Sequence, residues 1–177
     1  MLLVGKFIFW ECKMERTHSY TYFAICSNGE IGSAGLQSTD AGIFDPDDIT
    51  KLLRIEPFKK WKKGDRRKQV QDETSSTANY GFSIWCAEKS EIDRLDVEKQ
   101  CLETIKTLKQ KIPELMQIKS LYDVNFYICV VPHIFNEEQP FMSFGKEVIE
   151  FCYLTGTEID VDMYVYEREE LIFGRKE

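Results

Sequence analysis

The sequence lacks the short motifs by which many catalytic and metal-binding chains are recognised. Its six cysteines, at 12, 26, 86, 101, 129 and 152, form no C-x-x-C pair, and only two histidines are present, His18 and His133. Neither histidine lies in a nucleophile motif, and no glycine-rich loop has phosphate-binding spacing. We therefore expect reduced thiols, no metal site, no cofactor and no enzymatic activity.

Long apolar runs and an excess of basic residues are also missing. Nothing approaches the ~20 consecutive apolar residues of a membrane-spanning helix. The apolar N-terminus has neither a basic segment before it nor a small-residue cleavage site after it. The formal net charge is −7, and contacts with nucleic-acid phosphates need a basic surface. These features predict a cytoplasmic protein that does not contact membranes and is not a general nucleic-acid binder.

What the chain does have is enough apolar material for a core. Hydrophobic residues make up 43% and aromatic residues 13% of its 177 positions, which is typical of a globular domain that needs no disulfides. We predict one domain, with residues 1–18 as an N-terminal strand extension, 19–166 as the core and 167–177 as a charged tail.

The stretch from Phe44 to Asp65 carries the clearest local signals. Asp45 is a helix N-cap residue, and Pro46 fits the first helical position. Glu56-Pro57 is expected to end this helix, because a proline disfavours helical geometry in the residue before it. Trp61 follows within a run of lysines and arginines, which we predict to be a loop.

Alternating and helical periodicities predict the remaining elements. Pro113 is expected to kink or restart the second helix, and Pro132 to stop the fourth strand. The order β-β-α-β-α-β-α-β predicts an α+β fold: a mostly antiparallel sheet with amphipathic helices on one face, in a ferredoxin-like arrangement. The predicted strands span 2–11, 19–26, 80–88, 124–131 and 158–166, and the later helices run from Asp96 to about Leu121 and from a Ser143 cap to Gly156.

Several of these segments resemble a bacterial family, the domain-of-unknown-function family 4279. The resemblance covers roughly residues 19–166 and is carried by FDPDDITKLLRIEP with Trp61, Gly64 and Asp65 after it, by YGFSIW, and by SFGKEVIEFCYLTGTEIDVDMYVY. It implies a compact α+β domain without an established catalytic activity. Some members of the family look like immunity proteins encoded beside bacterial toxins.

The last strand predicts a partner-binding surface. Asp160, Asp162 and Tyr164 alternate to one face, where Tyr127 and Trp85 are expected beside them, and an acidic loop at Glu137-Glu138 completes the set. Aromatic anchors surrounded by carboxylates suit a basic protein partner. Two other interpretations stay open: the N-terminal strand covers this face, or Asp160 and Asp162 share a divalent cation.

The basic run predicts a second, alternative site. Its residues, Trp61, Lys62, Lys63, Arg66 and Arg67, could stack a base and hold a phosphate. A solvated loop, with Trp61 packed over the end of the preceding helix, is the more ordinary interpretation.

These observations lead to one hypothesis and its alternatives. We expect a non-catalytic cytosolic binding protein, monomeric when free, that neutralises a cognate, basic bacterial toxin of the contact-dependent or polymorphic type by occluding its active site. The alternative is a small-molecule- or nucleotide-binding domain, or a small enzyme, that uses the Trp61 loop. RNA binding on the sheet is disfavoured, since Asp160 and Asp162 repel phosphates.

Overall fold

The structure is a computed structural model that describes residues 16–27, 43–67, 78–135 and 138–166. These ranges contain six strands, four α-helices and one 3₁₀ turn. In chain order they are β1 (His18–Ser27), α1 (Pro46–Leu53), β2 (Lys59–Trp61), β3 (Ile84–Ser90), α2 (Val97–Ile105), the 3₁₀ turn (Leu108–Lys111), α3 (Ile112–Leu121), β4 (Val124–Phe135), α4 (Lys146–Thr155), β5 (Thr157–Val161) and β6 (Tyr164–Tyr166).

The described strands form one sheet in the order β2-β3-β1-β4-β5, with β6 also paired to β4. The pairs β2–β3, β3–β1 and β1–β4 are antiparallel, whereas β5 and β6 run parallel to β4. The parallel step follows from α4, which carries the chain from β4 back across the sheet to β5. The predicted α+β class with a mostly antiparallel sheet is confirmed. The ferredoxin-like arrangement stays a prediction.

The prediction that Pro132 stops the fourth strand is wrong, since β4 continues to Phe135. The Asp162 N–H donates to the Val130 carbonyl at 2.9 Å, so the main-chain groups of Val130 point towards β5. By alternation, the nitrogen of Pro132 points the same way. It therefore faces the gap between the end of β5 and the start of β6, where no ladder hydrogen bond is lost.

All four helices pack on one face of the sheet, which we call the helix face. Its core joins sheet residues such as Phe23, Trp85 and Phe126 to helix residues such as Ile105 and Phe151, and each of these is at most 2% exposed. Trp85 also donates its Nε1 hydrogen to Thr50 Oγ1 at 3.0 Å. The apolar side chains on one face of the sheet thus pack against the apolar faces of the helices, as the sequence indicates.

Helix α1 begins as predicted but ends earlier. The Asp45 side chain accepts a hydrogen bond from the Asp47 N–H at 3.0 Å, and Pro46 occupies the first turn. The helix ends at Leu53, because Arg54 adopts the left-handed conformation with φ 56° and donates its N–H to Thr50. The expected stop at Glu56-Pro57 is therefore wrong: a left-handed C-cap ends the helix first.

The later helices confirm three predicted boundaries and correct one. Asp96 caps α2, and Pro113 lies in the first turn of α3, where its missing N–H removes no helical hydrogen bond. Gly156 ends α4 in the left-handed conformation with φ 60°. Ser143, however, is not a cap, because α4 starts at Lys146 and the Ser143 hydroxyl donates to Glu98 Oε2 at 2.7 Å instead.

The sequence predictions at the N-terminus, in two connections and in the C-terminal tail fall on other parts of the chain. The strand at 2–11, most of the glycine-rich stretch after Ser27, the polar stretch from Gln69 to Thr77 and the tail from Glu167 lie outside the described residues. In the described ranges, no helix is long and apolar enough to cross a membrane.

Candidate functional site

The sheet face opposite the helices, which we call the second face, has a buried middle. Cys26, Cys86, Cys129 and Ala24 are at most 4% exposed there. Burial raises the pKa of Cys86 and of Cys129 to about 12, so both stay thiols at neutral pH. The five cysteines in the described ranges are free.

At the end where β1 begins and β4 ends, the same face carries a stack of rings. The register places His18 opposite His133 and His133 opposite Tyr164, on three neighbouring strands. The ring centroids lie 4.7 Å apart for His18 and His133, and 5.0 Å apart for His133 and Tyr164, with interplanar angles of 8° and 9°. These separations match the spacing of paired strands, so rings that stand upright on the sheet stack face to face.

A second row of rings extends the stack. Phe135 stacks on Tyr166 with centroids 4.2 Å apart and planes 2° apart. The ring centroids of Tyr20 and His133 lie 5.9 Å apart, and Lys89 Nζ lies 4.3 Å from the centroid of the Tyr20 ring. We call the six rings the aromatic platform: His18, Tyr20, His133, Phe135, Tyr164 and Tyr166.

Hydrogen bonds at the rim fix the outer rings of the aromatic platform. The Tyr166 hydroxyl lies 2.9 Å from His133 Nδ1, and the Tyr164 hydroxyl donates to Asp162 Oδ2 at 2.7 Å. The bond to Asp162 raises the pKa of Tyr164. Burial and the neighbouring His18 lower the pKa of His133 below its ordinary 6.5, although Asp162 opposes them. This shift favours the neutral form of His133 at pH 7. Tyr164 and Tyr166 remain 43% and 41% exposed.

Three carboxylates line the second face beside the aromatic platform. On β5, Glu158 lies opposite Tyr127 of β4 and Asp160 lies opposite Cys129 of β4. Asp162 follows at the next alternate position along the chain. We call Glu158, Asp160 and Asp162 the acidic row. In the described ranges none of the three forms an ion pair, and the hydrogen bond from Tyr164 to Asp162 is the one side-chain bond made by the row. The row thus presents net negative charge to solvent.

Two predicted neighbours of this surface lie elsewhere or are hidden. Tyr127 is on the second face but is 8% exposed, so little of its ring can reach a partner. Trp85 belongs to the helix face, and placing it beside Asp160 is wrong. The adjacent Cys86 occupies the second face, and successive residues of a strand point to opposite faces.

The predicted acidic loop is described in part. Glu138 forms a bidentate ion pair with Arg94, with Nη–Oε distances of 3.0 and 3.1 Å. This pair lowers the pKa of Glu138. The Glu138 N–H donates to the Phe135 carbonyl, which puts this pair at the aromatic-platform end of the sheet. Glu137 lies outside the described residues.

The basic run is not a loop throughout, because Lys59–Trp61 forms the edge strand β2. Trp61 does not pack over the end of α1, as one interpretation held. It stacks on Tyr80 with centroids 4.1 Å apart and meets the edge of Phe82 at 5.6 Å. One face of the indole ring is therefore used by Tyr80, and Lys59 Nζ also lies 4.8 Å from the centroid of the Trp61 ring. Arg67 Cζ lies 5.1 Å from the centroid of the Tyr80 ring.

A shallow cleft of about 300 Å³ lies between this strand and the start of α1. Its lysines face carboxylates: Lys60 Nζ is 2.6 Å from Asp47 Oδ1, and Lys62 Nζ is 3.2 Å from Asp45 Oδ2. Two hydrogen bonds lower the pKa of Asp45: the larger effect comes from the Asp47 N–H and the smaller from the Lys62 side chain. Of the other candidates, Lys63 donates its N–H to Ser83 Oγ, and Arg66 forms a β-bridge with Asn79. A cleft with paired charges offers little to an anion.

Sequence reasoning missed most of the aromatic platform. His133 and Phe135 lie beyond Pro132, where the fourth strand was expected to end, and His18 and Tyr20 join the aromatic platform only by pairing with that part of β4. The alternation Cys129, Val131, His133, Phe135 carries the signal once that strand is allowed to continue. In the described ranges, no three His, Cys, Asp or Glu side chains are grouped so as to hold a metal ion.

Comparison with known proteins gives one family match. The family model described as Domain of unknown function (DUF4279) matches residues 16–166. These residues span every described element, from β1 to β6. No curated protein and no solved structure matches the chain.

Proposed function

The chain belongs to the DUF4279 family, and we propose that it is a non-catalytic protein that binds a basic protein partner. The observation that carries this proposal is the position of the acidic row beside the exposed rim of the aromatic platform. Aromatic side chains supply contact area at low entropic cost, and unpaired carboxylates attract and orient lysines and arginines. The two features meet at Asp162, which accepts a hydrogen bond from the Tyr164 hydroxyl.

The chemistry of the candidate nucleophiles and bases supports binding over catalysis. Cys86 and Cys129 are buried thiols with a raised pKa, which leaves them unreactive. The two imidazoles stack on each other at 4.7 Å, and His133 Nδ1 is engaged by the Tyr166 hydroxyl. A general base needs a ring nitrogen that reaches its substrate, whereas His18 Nδ1 lies 3.0 Å from the Arg16 carbonyl oxygen and is engaged there as His133 Nδ1 is by Tyr166.

The specific form of the proposal is an immunity protein. It would act in the cytoplasm and neutralise a cognate toxin by covering the toxin's active site with the acidic surface. The family resemblance and the formal net charge of −7 support this form, since many toxins that act on nucleic acids present a basic active-site surface that suits phosphate binding. Removal of an acidic residue that becomes buried in such an interface should weaken binding by about 2–5 kcal/mol.

The test is co-expression with each protein encoded next to the chain's own gene. Native mass spectrometry of the purified material then shows what accompanies the chain. The proposal predicts a one-to-one complex with a protein that is toxic when expressed alone, and restored growth when both are expressed. A chain that purifies alone from every co-expression, with no rescue of growth, would contradict it.

The anionic-ligand alternative has its own test at the Trp61 cleft. Melting temperatures are compared with and without millimolar phosphate and ATP, because a ligand that binds the folded state raises the melting temperature. The lysine–carboxylate pairs in this cleft predict no shift.

A further inference from the structure

The outer edge formed by β5 and β6 differs from an ordinary sheet edge in its exposure. Both strands pair with β4 on one side, and within the described ranges no strand pairs with the other side. Every residue from Val161 to Tyr166 is exposed, including Met163 at 49% and Val165 at 66%. A run of exposed apolar and aromatic residues at a sheet edge is a recognised site of strand addition.

The main-chain groups at this edge are aimed outwards. The Asp162 N–H donates to the Val130 carbonyl at 2.9 Å, so the peptide groups of Asp160 and Asp162 point towards β4. Residues of a strand alternate in this respect, and Val161 therefore directs its N–H and C=O away from the sheet. A strand laid along this edge would find a donor and an acceptor at Val161.

The opposite edge of the sheet shows how strand addition is discouraged. There β2 is three residues long and carries exposed Lys59 and Lys60, and lysines on a short strand oppose edge-to-edge pairing. The β5–β6 edge has no lysine or arginine between Thr157 and Tyr166. Only the β5–β6 edge therefore lacks the protective lysines.

We propose that the β5–β6 edge takes up an extended, basic segment of the partner protein as an additional strand. This inference rests on the proposed function and names how the partner docks. Alternate side chains of an added strand repeat about every 6.6–7 Å, the same repeat as Glu158, Asp160 and Asp162. Its lysines or arginines would lie over the acidic row, while its other side chains would lie beside Val161 and Val165.

The charge of the edge also decides against a second copy of the chain as the occupant. Two copies joined edge to edge would bring two acidic rows together with no intervening basic residue. Like charges that face each other across paired strands are destabilising. The edge fits a basic partner and repels its own copy.

The probe is a ten-residue peptide of alternating lysine and threonine, acetylated and amidated at its ends. Two analogues carry N-methyl groups either on the lysines or on the threonines, so charge and composition are equal. In an added strand only one of these sets of N–H groups faces the sheet. Strand addition therefore predicts that the parent binds and that one analogue binds at least about tenfold more weakly than the other.

Hydrogen–deuterium exchange supplies a second readout on the protein itself. The parent peptide should slow exchange of the Val161 N–H and leave β2 unchanged. Equal affinity of the two analogues, or no binding of the parent at millimolar concentration, would overturn strand addition. The proposed function is judged separately by co-expression: a complex that forms with the neighbouring gene's product keeps the function even if the two analogues bind equally.

Discussion

Neutralising Asp160 should make the free protein more stable, because this carboxylate has an acidic neighbour on each side and no ion pair in the described ranges. Alternate side chains on a strand are about 7 Å apart, and two unit charges at that distance in water repel by about 0.6 kcal/mol. Asp160→Asn removes two such repulsions, from Glu158 and Asp162, or about 1.2 kcal/mol before screening. Residual repulsion in the unfolded chain makes this an upper value.

The gain in stability should decrease as the salt concentration rises, because salt screens the repulsion between the carboxylates. Debye lengths of about 30, 8 and 3 Å at 0.01, 0.15 and 1 M salt reduce the gain in unfolding free energy to about 1, 0.5 and 0.1 kcal/mol. Urea unfolding followed by tryptophan fluorescence measures the gain at each salt concentration. The matched control is Asp48→Asn, which removes a carboxylate 2.9 Å from Lys51 and should lower the stability.

Two results would refute this reasoning. A loss of stability in Asp160→Asn would mean that the carboxylate holds the fold together. A gain that stays constant from 0.01 to 1 M salt would mean that its origin is not charge repulsion. The predicted outcome, a carboxylate that opposes folding, would indicate that Asp160 is kept for something other than the stability of the free chain.

Three further predictions concern the fold and the aromatic platform. Trp85→Phe should lower the unfolding free energy by about 1–3 kcal/mol, since it leaves a cavity and removes the bond to Thr50; urea unfolding measures it. NMR titration should give His133 a pKa below 6.5. The unfolded chain then binds the imidazole proton of His133 more tightly than the folded chain does. The unfolding free energy is therefore not reduced by this group above pH 6.5, and it falls as pH drops through the folded pKa; His133→Gln should remove that loss. Cys86 and Cys129 should react with a thiol reagent only upon unfolding, because their pKa is about 12.

Local signals predicted the helices and the sheet class well. Asp45 with Pro46, Asp96, Pro113 and Gly156 each act through the nearest turn of backbone, so their effects can be read from neighbouring residues. Helix ends without such a signal were missed: the left-handed Arg54 could not be anticipated, because glycine or asparagine normally takes that conformation.

The aromatic platform depends on information that neighbouring residues do not contain. His18, His133 and Tyr164 become stacked only through the register of three strands that are far apart in sequence. That register in turn requires β4 to continue through Pro132, which is tolerated because the proline faces the gap between β5 and β6. Asp160 and Asp162 were predictable as a pair on one face from their alternation alone, although the predicted strand 158–166 is split into β5 and β6 with Asp162 between them.

The most direct test of the account is the affinity of the co-purified partner for charge-reversed variants, measured by isothermal titration calorimetry. Asp160→Lys with Asp162→Lys reverses two charges of the acidic row, and Glu103→Lys on α2 is the matched control on the opposite side of the molecule. The account predicts at least about a hundredfold loss of affinity for the double variant, or about 2.7 kcal/mol, and little change for the control. Equal affinity of the folded double variant and the unaltered protein would contradict the claim that this surface binds the partner.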